Sequence, residues 1–201
     1  GSPVYTRYTV RVSSPNERGL LTQIHRHCVY ESFRRLGWLF TPGMPPKPEG
    51  ELEVRERIRY LLEKNKRGTD GFKLAAFDLY DLMIDHLESR NFLKQCVAFE
   101  KKQGFARITQ AVNRSMKIND PDSLIVHQIR KHTPEDAVVF LTGIGKCYPV
   151  LRSHKILNTL HQGFGAAPVV LFYPGVYDEQ QLLLFGKIKD DNYYRAFRLV
   201  K

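Results

Sequence analysis

A Gly-Lys pair behind an apolar run is the arrangement in this sequence best suited to chemistry: Val138 to Leu141 lead into Thr142-Gly143-Ile144-Gly145-Lys146-Cys147. A phosphate-binding loop needs glycines that let backbone amides close around a phosphate, a lysine for the outer phosphates and a Ser or Thr hydroxyl for magnesium. Here Phe140 stands where the first glycine of a Walker A loop belongs, and Cys147 replaces the hydroxyl. The turn after the first apolar run, Ser13-Ser14-Pro15-Asn16-Glu17, has no glycine and no lysine. Nucleotide hydrolysis is therefore not expected.

The remaining candidate constellations fall short in similar ways. His25 and His27 are two apart, which on a helix sends them to different faces. His86 and His127 fall on helical segments and His132 at a helix end, the ordinary setting of a packed or solvated histidine. Ser153, His154 and Asp190-Asp191 contain the residue types of an acyl-transfer triad without the Gly-x-Ser-x-Gly elbow. Asp78 and Asp81 open a helix, where carboxylates stabilise the first turn. Cys28, Cys96 and Cys147 are odd in number and lack zinc-type spacing, so they read as reduced structural thiols. The chain is read as non-enzymatic, with no catalytic, metal or cofactor-binding residue.

The basic residues carry more weight. Lys146, Arg152, His154 and Lys155 flank the first glycine turn, while Lys187, Lys189, Arg195, Arg198 and Lys201 crowd the end of the chain around Tyr193 and Tyr194. With 31 Lys and Arg against 21 Asp and Glu, the net charge is +10, which favours an acidic partner, either nucleic acid or a protein surface. Basic residues interleaved with tyrosine can neutralise phosphates and stack on bases, or can anchor a protein interface. Alternation between 193 and 200 also permits a third reading, half core and half solvated charge. Tyr173, in Phe172-Tyr173-Pro174-Gly175, joins the candidate partner-binding set because a strand entering a turn at the carboxyl end of a parallel sheet lies where such folds bind ligands. Pro174-Gly175 also suits the centre of a type II turn and needs no functional explanation.

These residues must be held by regular elements. Tyr5 to Val12 reads as a strand, and Ser14, Pro15 and Glu17 mark the start of a helix that ends near Gly37. Thr41 to Gly50, with four prolines, reads as a loop. Val54, Ile58, Leu61 and Leu62 share a helical face, and Phe72 to Phe77 reads as a buried strand. Helical faces then recur at Leu79 to Leu87, Phe92 to Phe99, Phe105 to Met116, and from Pro121 through Ile129. Ala137 to Leu141 reads as strand, Val150 to Leu160 as helix, Pro168 to Phe172 as strand, and Gln181 to Phe185 with Tyr193 to Val200 as an antiparallel pair. Short apolar strands alternating with helices predict an α/β fold: three layers, a mostly parallel sheet flanked by helices, a helical insertion at about 79–132 and an antiparallel C-terminal edge.

The 201 residues suit one domain spanning 1–201, and no apolar run approaches the roughly 20 residues of a membrane span. Hydrophobic residues at 42% and charged residues at 26% predict a soluble, non-membrane protein, and the three widely separated cysteines predict a cytoplasmic one.

The string Phe140-Leu141-Thr142-Gly143-Ile144-Gly145-Lys146, then Tyr148-Pro149, Arg152-Ser153-His154, Phe172-Tyr173-Pro174-Gly175 and Asn192-Tyr193-Tyr194-Arg195-Ala196-Phe197, resembles the BrxB family of BREX (bacteriophage exclusion) systems. Gly1-Ser2 reads as a cleavage scar, and the family is expected to begin with a helical leader, so the chain is read as shortened at its N-terminus. The resemblance implies an antiviral component working in an assembly with PglZ, an alkaline-phosphatase-like protein, with the methyltransferase PglX and the ATPase BrxC. It implies an adaptor docking on PglZ, with Lys146, Arg152, His154, Lys155, Tyr173, Lys187, Lys189, Tyr194, Arg195 and Arg198 as candidate partner-binding residues; a DNA-binding module of the same complex is the alternative.

Overall fold

A computed structural model describes residues 8–13, 49–68, 72–120, 122–163, 167–177, 182–184, 188–190 and 197–198. The centre of the sheet is three parallel strands: β2 (Lys73–Asp78), β3 (Ala137–Thr142) and β4 (Val169–Tyr177), in that order. β1 (Tyr8–Ser13) pairs antiparallel with β4 on its other side, and β7 (Phe197–Arg198) pairs antiparallel with β1. Beyond Pro174, β4 pairs antiparallel with β5 (Leu182–Leu184), which pairs in turn with β6 (Ile188–Asp190).

The sheet is covered on both faces, and strand periodicity decides which residue goes where. Val138 and Phe140 of β3, with Val170 and Phe172 of β4, face α1 (Glu49–Asn65), whose Val54, Ile58 and Leu61 recur at helical spacing. Phe140 and Phe172 meet edge to face, ring centroids 5.2 Å apart, a geometry aromatic pairs prefer. Val139 and Leu141, with Val169, Leu171 and Tyr173, face the opposite, larger core. There they meet α2 (Leu79–Ser89), α4 (Phe105–Ser115), α5 (Leu124–His132) and α7 (Ser153–Gly163). β3 is apolar from Ala137 to Leu141 because neither face reaches water there, and polar Thr142 stands half-buried at its carboxyl end.

Each helix on the larger face has a readable cause. Leu79, Met83 and Leu87 of α2, and Ile108 and Val112 of α4, fall four apart on one side. Ser123 caps α5 by accepting from the Val126 N–H at 3.3 Å, ahead of buried Ile125, Val126 and Ile129. α3 (Phe92–Gln103) and α4 meet at Gly104, whose φ of +79° is one that side chains rarely adopt. Side-chain bonds tie the layers together. Asn65 at the end of α1 donates to the Phe72 carbonyl and accepts from the Leu74 N–H, both at 2.7 Å. Asn113 of α4 donates to the Val150 carbonyl at 2.8 Å, and the Thr159 hydroxyl of α7 donates to the Ile118 carbonyl at 2.9 Å.

The α/β class holds, and so do the positions of its central strands and of the helices between β2 and β3. Four details differ from expectation. The helix anticipated from Val150 begins at Ser153, preceded by a turn and by the single-turn α6 (Ile144–Cys147). Pro174-Gly175 is extended strand rather than a turn, because Tyr8 pairs with Pro174 and Leu184 with Gly175. Residues 182–184 pair with 188–190, and 197–198 with β1, in place of the anticipated pairing between 181–185 and 193–200. The anticipated loop through Gly50 gives way to helix from Glu49. The helix expected after Ser14 lies outside the described residues.

Truncating Phe140 to Ala removes the ring that fills the smaller core and its contact with Phe172, and should cost about 3–5 kcal/mol. Tyr60→Ser, on the exposed side of α1, should change stability by no more than about 0.5 kcal/mol. Urea denaturation of the two variants measures both.

Candidate functional site

The Gly-Lys turn lies at the carboxyl end of β3, beside the carboxyl end of β2. Parallel pairing puts Asp78 level with Thr142, so the Asp78 carboxylate reaches the next residue, Gly143. Gly143 has φ +77°, and a Cβ there would overlap Asp78 Oδ1. Two separate demands thus select glycine: a left-handed backbone and the space the carboxylate occupies. With β3 ending at Thr142 and α6 beginning at Ile144, one residue makes the whole connection. A phosphate cradle needs a longer loop with several free amides.

Asp78 is the hub of the site. Its Oδ1 accepts from the Tyr80 N–H at 2.9 Å and the Asp81 N–H at 3.4 Å, capping α2. Its Oδ2 takes the Lys146 ammonium at 2.6 Å, and that ammonium also stands 5.3 Å from the centre of the Tyr80 ring. The capping role of Asp78 was readable from the sequence. The pairing with Lys146, 68 residues away, was not, because no local pattern encodes the register of two parallel strands. The Lys146 and Asp78 side chains are 38% and 25% accessible, so the pair itself contributes about 0–1 kcal/mol. Its main effect is to fix where Lys146 points.

Cys147 is buried below the turn. Burial foremost, then the negative charge of Asp78, pushes its thiol up to about 12, with the Lys146 charge opposing. A thiol so held is neither nucleophile nor ready metal ligand. Cys96 is half-buried and its thiol is also raised by burial. Ser153 is buried, which removes its hydroxyl from any substrate. His86 lies 3.5 Å from the Ser115 hydroxyl, and burial, followed by the Arg90 charge, holds its pKa below the ordinary value. Among the described residues no group of three or more His, Cys, Asp or Glu is arranged to hold a metal ion, and no helix is long and apolar enough to cross a membrane.

The structure distributes the candidate partner-binding residues unevenly. Lys146 and Arg152 are exposed, and His154 and Lys155 are half-buried in the first turn of α7. These four share one ten-residue stretch, exposed Tyr80 stands beside Lys146, and exposed Tyr148 follows two residues later in the chain. Tyr173 is 1% accessible and packs into the larger core, because in β4 it follows Val169 and Leu171 on the same face. The backbones of Lys189 and Arg198 lie in β6 and β7, separate strands with different partners. Lys187, Tyr194 and Arg195 lie outside the described residues. Sequence reasoning missed Tyr80, whose only signal was an aromatic two residues after the helix-capping Asp78.

A family model described as "BREX protein BrxB" matches residues 75–199, a range that holds Asp78, Gly143 and Lys146. A BREX protein BrxB of Bacillus cereus (strain H3081.97) is 41% identical over 153 residues, covering 76% of this chain and 79% of that protein. A BREX protein BrxB of Escherichia coli O9:H4 (strain HS) is 29% identical over 150 residues, covering 75% and 72%. A 76-residue stretch is 32% identical to leucine aminopeptidase 2 of Ajellomyces capsulatus (strain NAm1 / WU24), covering 12% of that protein. No solved structure matches the chain.

The state of Cys147 is directly measurable. Iodoacetamide at about pH 8 should leave it unmodified in the native protein and label it after unfolding, read by peptide mass spectrometry. Because its folded pKa lies above the ordinary 9.0, the associated stability is complete below 9.0 and is lost as pH rises toward about 12. Cys147→Ala should flatten that part of the alkaline stability profile.

Proposed function

Because the chain belongs to the BrxB family of BREX proteins and is a component of a BREX phage-defence system, we propose that it serves as a cytoplasmic, non-enzymatic adaptor that docks on PglZ. The observation that carries this reading is the fate of the Gly-Lys turn. Lys146 is drawn onto Asp78 and Tyr80, Gly143 is packed against the carboxylate, and Cys147 is buried with its proton retained. Each group with chemical potential is occupied in holding the strand ends together.

What the turn leaves facing outward is Tyr80, Tyr148, Arg152 and part of Lys146. Tyrosine supplies large contact area at little conformational cost, arginine supplies directed hydrogen bonds, and interfaces are enriched in both. This surface, with the basic end of the chain as a second region, is proposed to receive PglZ; PglX and BrxC are further candidate partners.

The +10 net charge favours a second reading, a DNA-binding module of the same complex. The two differ in salt response. Binding to DNA weakens steeply with salt because each neutralised phosphate releases counterion, whereas an interface with a buried aromatic centre is less sensitive.

Size-exclusion chromatography with light scattering, at about physiological salt, separates them. The adaptor reading predicts a stable complex with purified PglZ and none with duplex DNA, and an Arg152→Glu, Tyr148→Ala variant that folds normally and binds PglZ at least about tenfold more weakly. Repeated failure to bind full-length PglZ refutes it, and DNA binding without PglZ binding establishes the alternative.

A further inference from the structure

We propose that the outer edge of β2 pairs with the same edge of a second copy of this chain, making one continuous sheet across a two-fold dimer. β2 stands at the end of the strand order and, among the described strands, pairs with β3 alone. Leu74, Ala75, Ala76 and Phe77 are half-buried, whereas the β3 residues in register with them, Val138 to Leu141, are no more than 2% accessible. Edge strands are ordinarily blunted by a central charge, a proline or a bulge. Between Lys73 and Asp78 this one carries only Leu-Ala-Ala-Phe.

The hydrogen-bonding groups along that edge identify the occupant. The Lys73 N–H donates to the Asp136 carbonyl, just before β3, at 3.2 Å. Lys73, Ala75 and Phe77 therefore turn their backbone groups toward β3, and Leu74, Ala76 and Asp78 turn theirs outward. Part of the outward row is already taken. Asn65 at the end of α1 accepts from the Leu74 N–H and donates to the Phe72 carbonyl, standing in for a neighbouring strand. The Asp78 carbonyl belongs to α2, which Asp78 caps. What remains is the Leu74 carbonyl, the Ala76 N–H and carbonyl, and the Asp78 N–H, none of them bonded to a described residue.

This set is its own complement. A two-fold axis between the two Ala76 residues sets each Ala76 N–H against the other copy's Ala76 carbonyl, and each Asp78 N–H against the other's Leu74 carbonyl. Every donor left open on one copy then meets an acceptor left open on the other. An extended peptide of another protein would bring a carbonyl opposite the Leu74 N–H and an N–H opposite the Asp78 carbonyl, both already filled. In a second copy those opposing groups are filled by its own α2 and Asn65. Ala75 meets Phe77 of the other copy, small against large, in the closer, non-hydrogen-bonded kind of pair. The dimer does not rest on the adaptor reading, and its test uses this chain alone.

Light scattering of the purified chain, without PglZ, at concentrations up to about 100 μM should give twice the monomer mass. Ala76→Pro removes the central N–H at a site where an edge strand tolerates proline. It should raise the dimer dissociation constant at least about tenfold, with urea denaturation checking that it folds. Ala76→Cys gives an independent readout. The axis sets the two residues 76 about 5.5 Å apart at Cα, within reach of a disulfide. Mild oxidation should therefore join two copies at position 76, read by peptide mass spectrometry, while Ala75→Cys, displaced along the strand, should not cross-link. A monomer at every concentration, a dimer that survives a folded Ala76→Pro unchanged, or no link at 76 overturns the proposal. Should Ala76→Pro fail to fold, the mass and the cross-link decide.

Discussion

The carboxyl end of the parallel sheet is organised around one close approach, the Asp78 carboxylate lying in the space that a side chain at residue 143 would fill. From that position one oxygen caps α2 and the other holds Lys146. The same contact lets a single residue join β3 to α6, and so sets Ile144 and Cys147 into the core below. Polar groups usually reach strand ends to meet a ligand, but here they meet each other. The Lys146–Asp78 pair is partly exposed and weak in itself, and the joint effect of these contacts is to fix positions at the strand ends.

This arrangement reconciles a motif that looks reactive with a protein read as an adaptor. A lysine held by carboxylate and aromatic ring, and a thiol raised by burial, are poor agents of covalent chemistry. They are good determinants of shape. Their rigidity places Tyr80, Tyr148 and Arg152 on a defined surface, and a surface preorganised in this way loses less conformational entropy when a partner binds. Around it, the two-faced burial of β3 and β4 supplies the stiffness, with α1 covering one face and α2 to α7 the other.

Much of this was legible in the residue pattern. The unbroken apolar run of β3 announced burial on both faces. Leu79, Met83 and Leu87, or Ile108, Val112 and Met116, announced helices by spacing alone, and Asp78 was readable as a first-turn carboxylate. What escaped were features fixed by tertiary pairing. Pro174-Gly175 has turn chemistry, but β1 and β5 hold it extended. Tyr173 looked presentable, yet strand parity turns it inward with Val169 and Leu171. The partner of Lys146 depends on β2 lying in register beside β3. Local sequence encodes the elements, while the choice of neighbour comes from long-range packing.

The central claim, that Gly143 is glycine because Asp78 occupies its side-chain space, is tested most directly by a double-mutant cycle of Gly143→Ala and Asp78→Ala in urea denaturation. The account predicts that Gly143→Ala costs about 1–2 kcal/mol in the Asp78→Ala background, the strain of the left-handed backbone alone. In the wild-type background it should cost more, with a coupling of about 1–3 kcal/mol. Equal costs in the two backgrounds would contradict it, showing that the carboxylate and the glycine do not share that space.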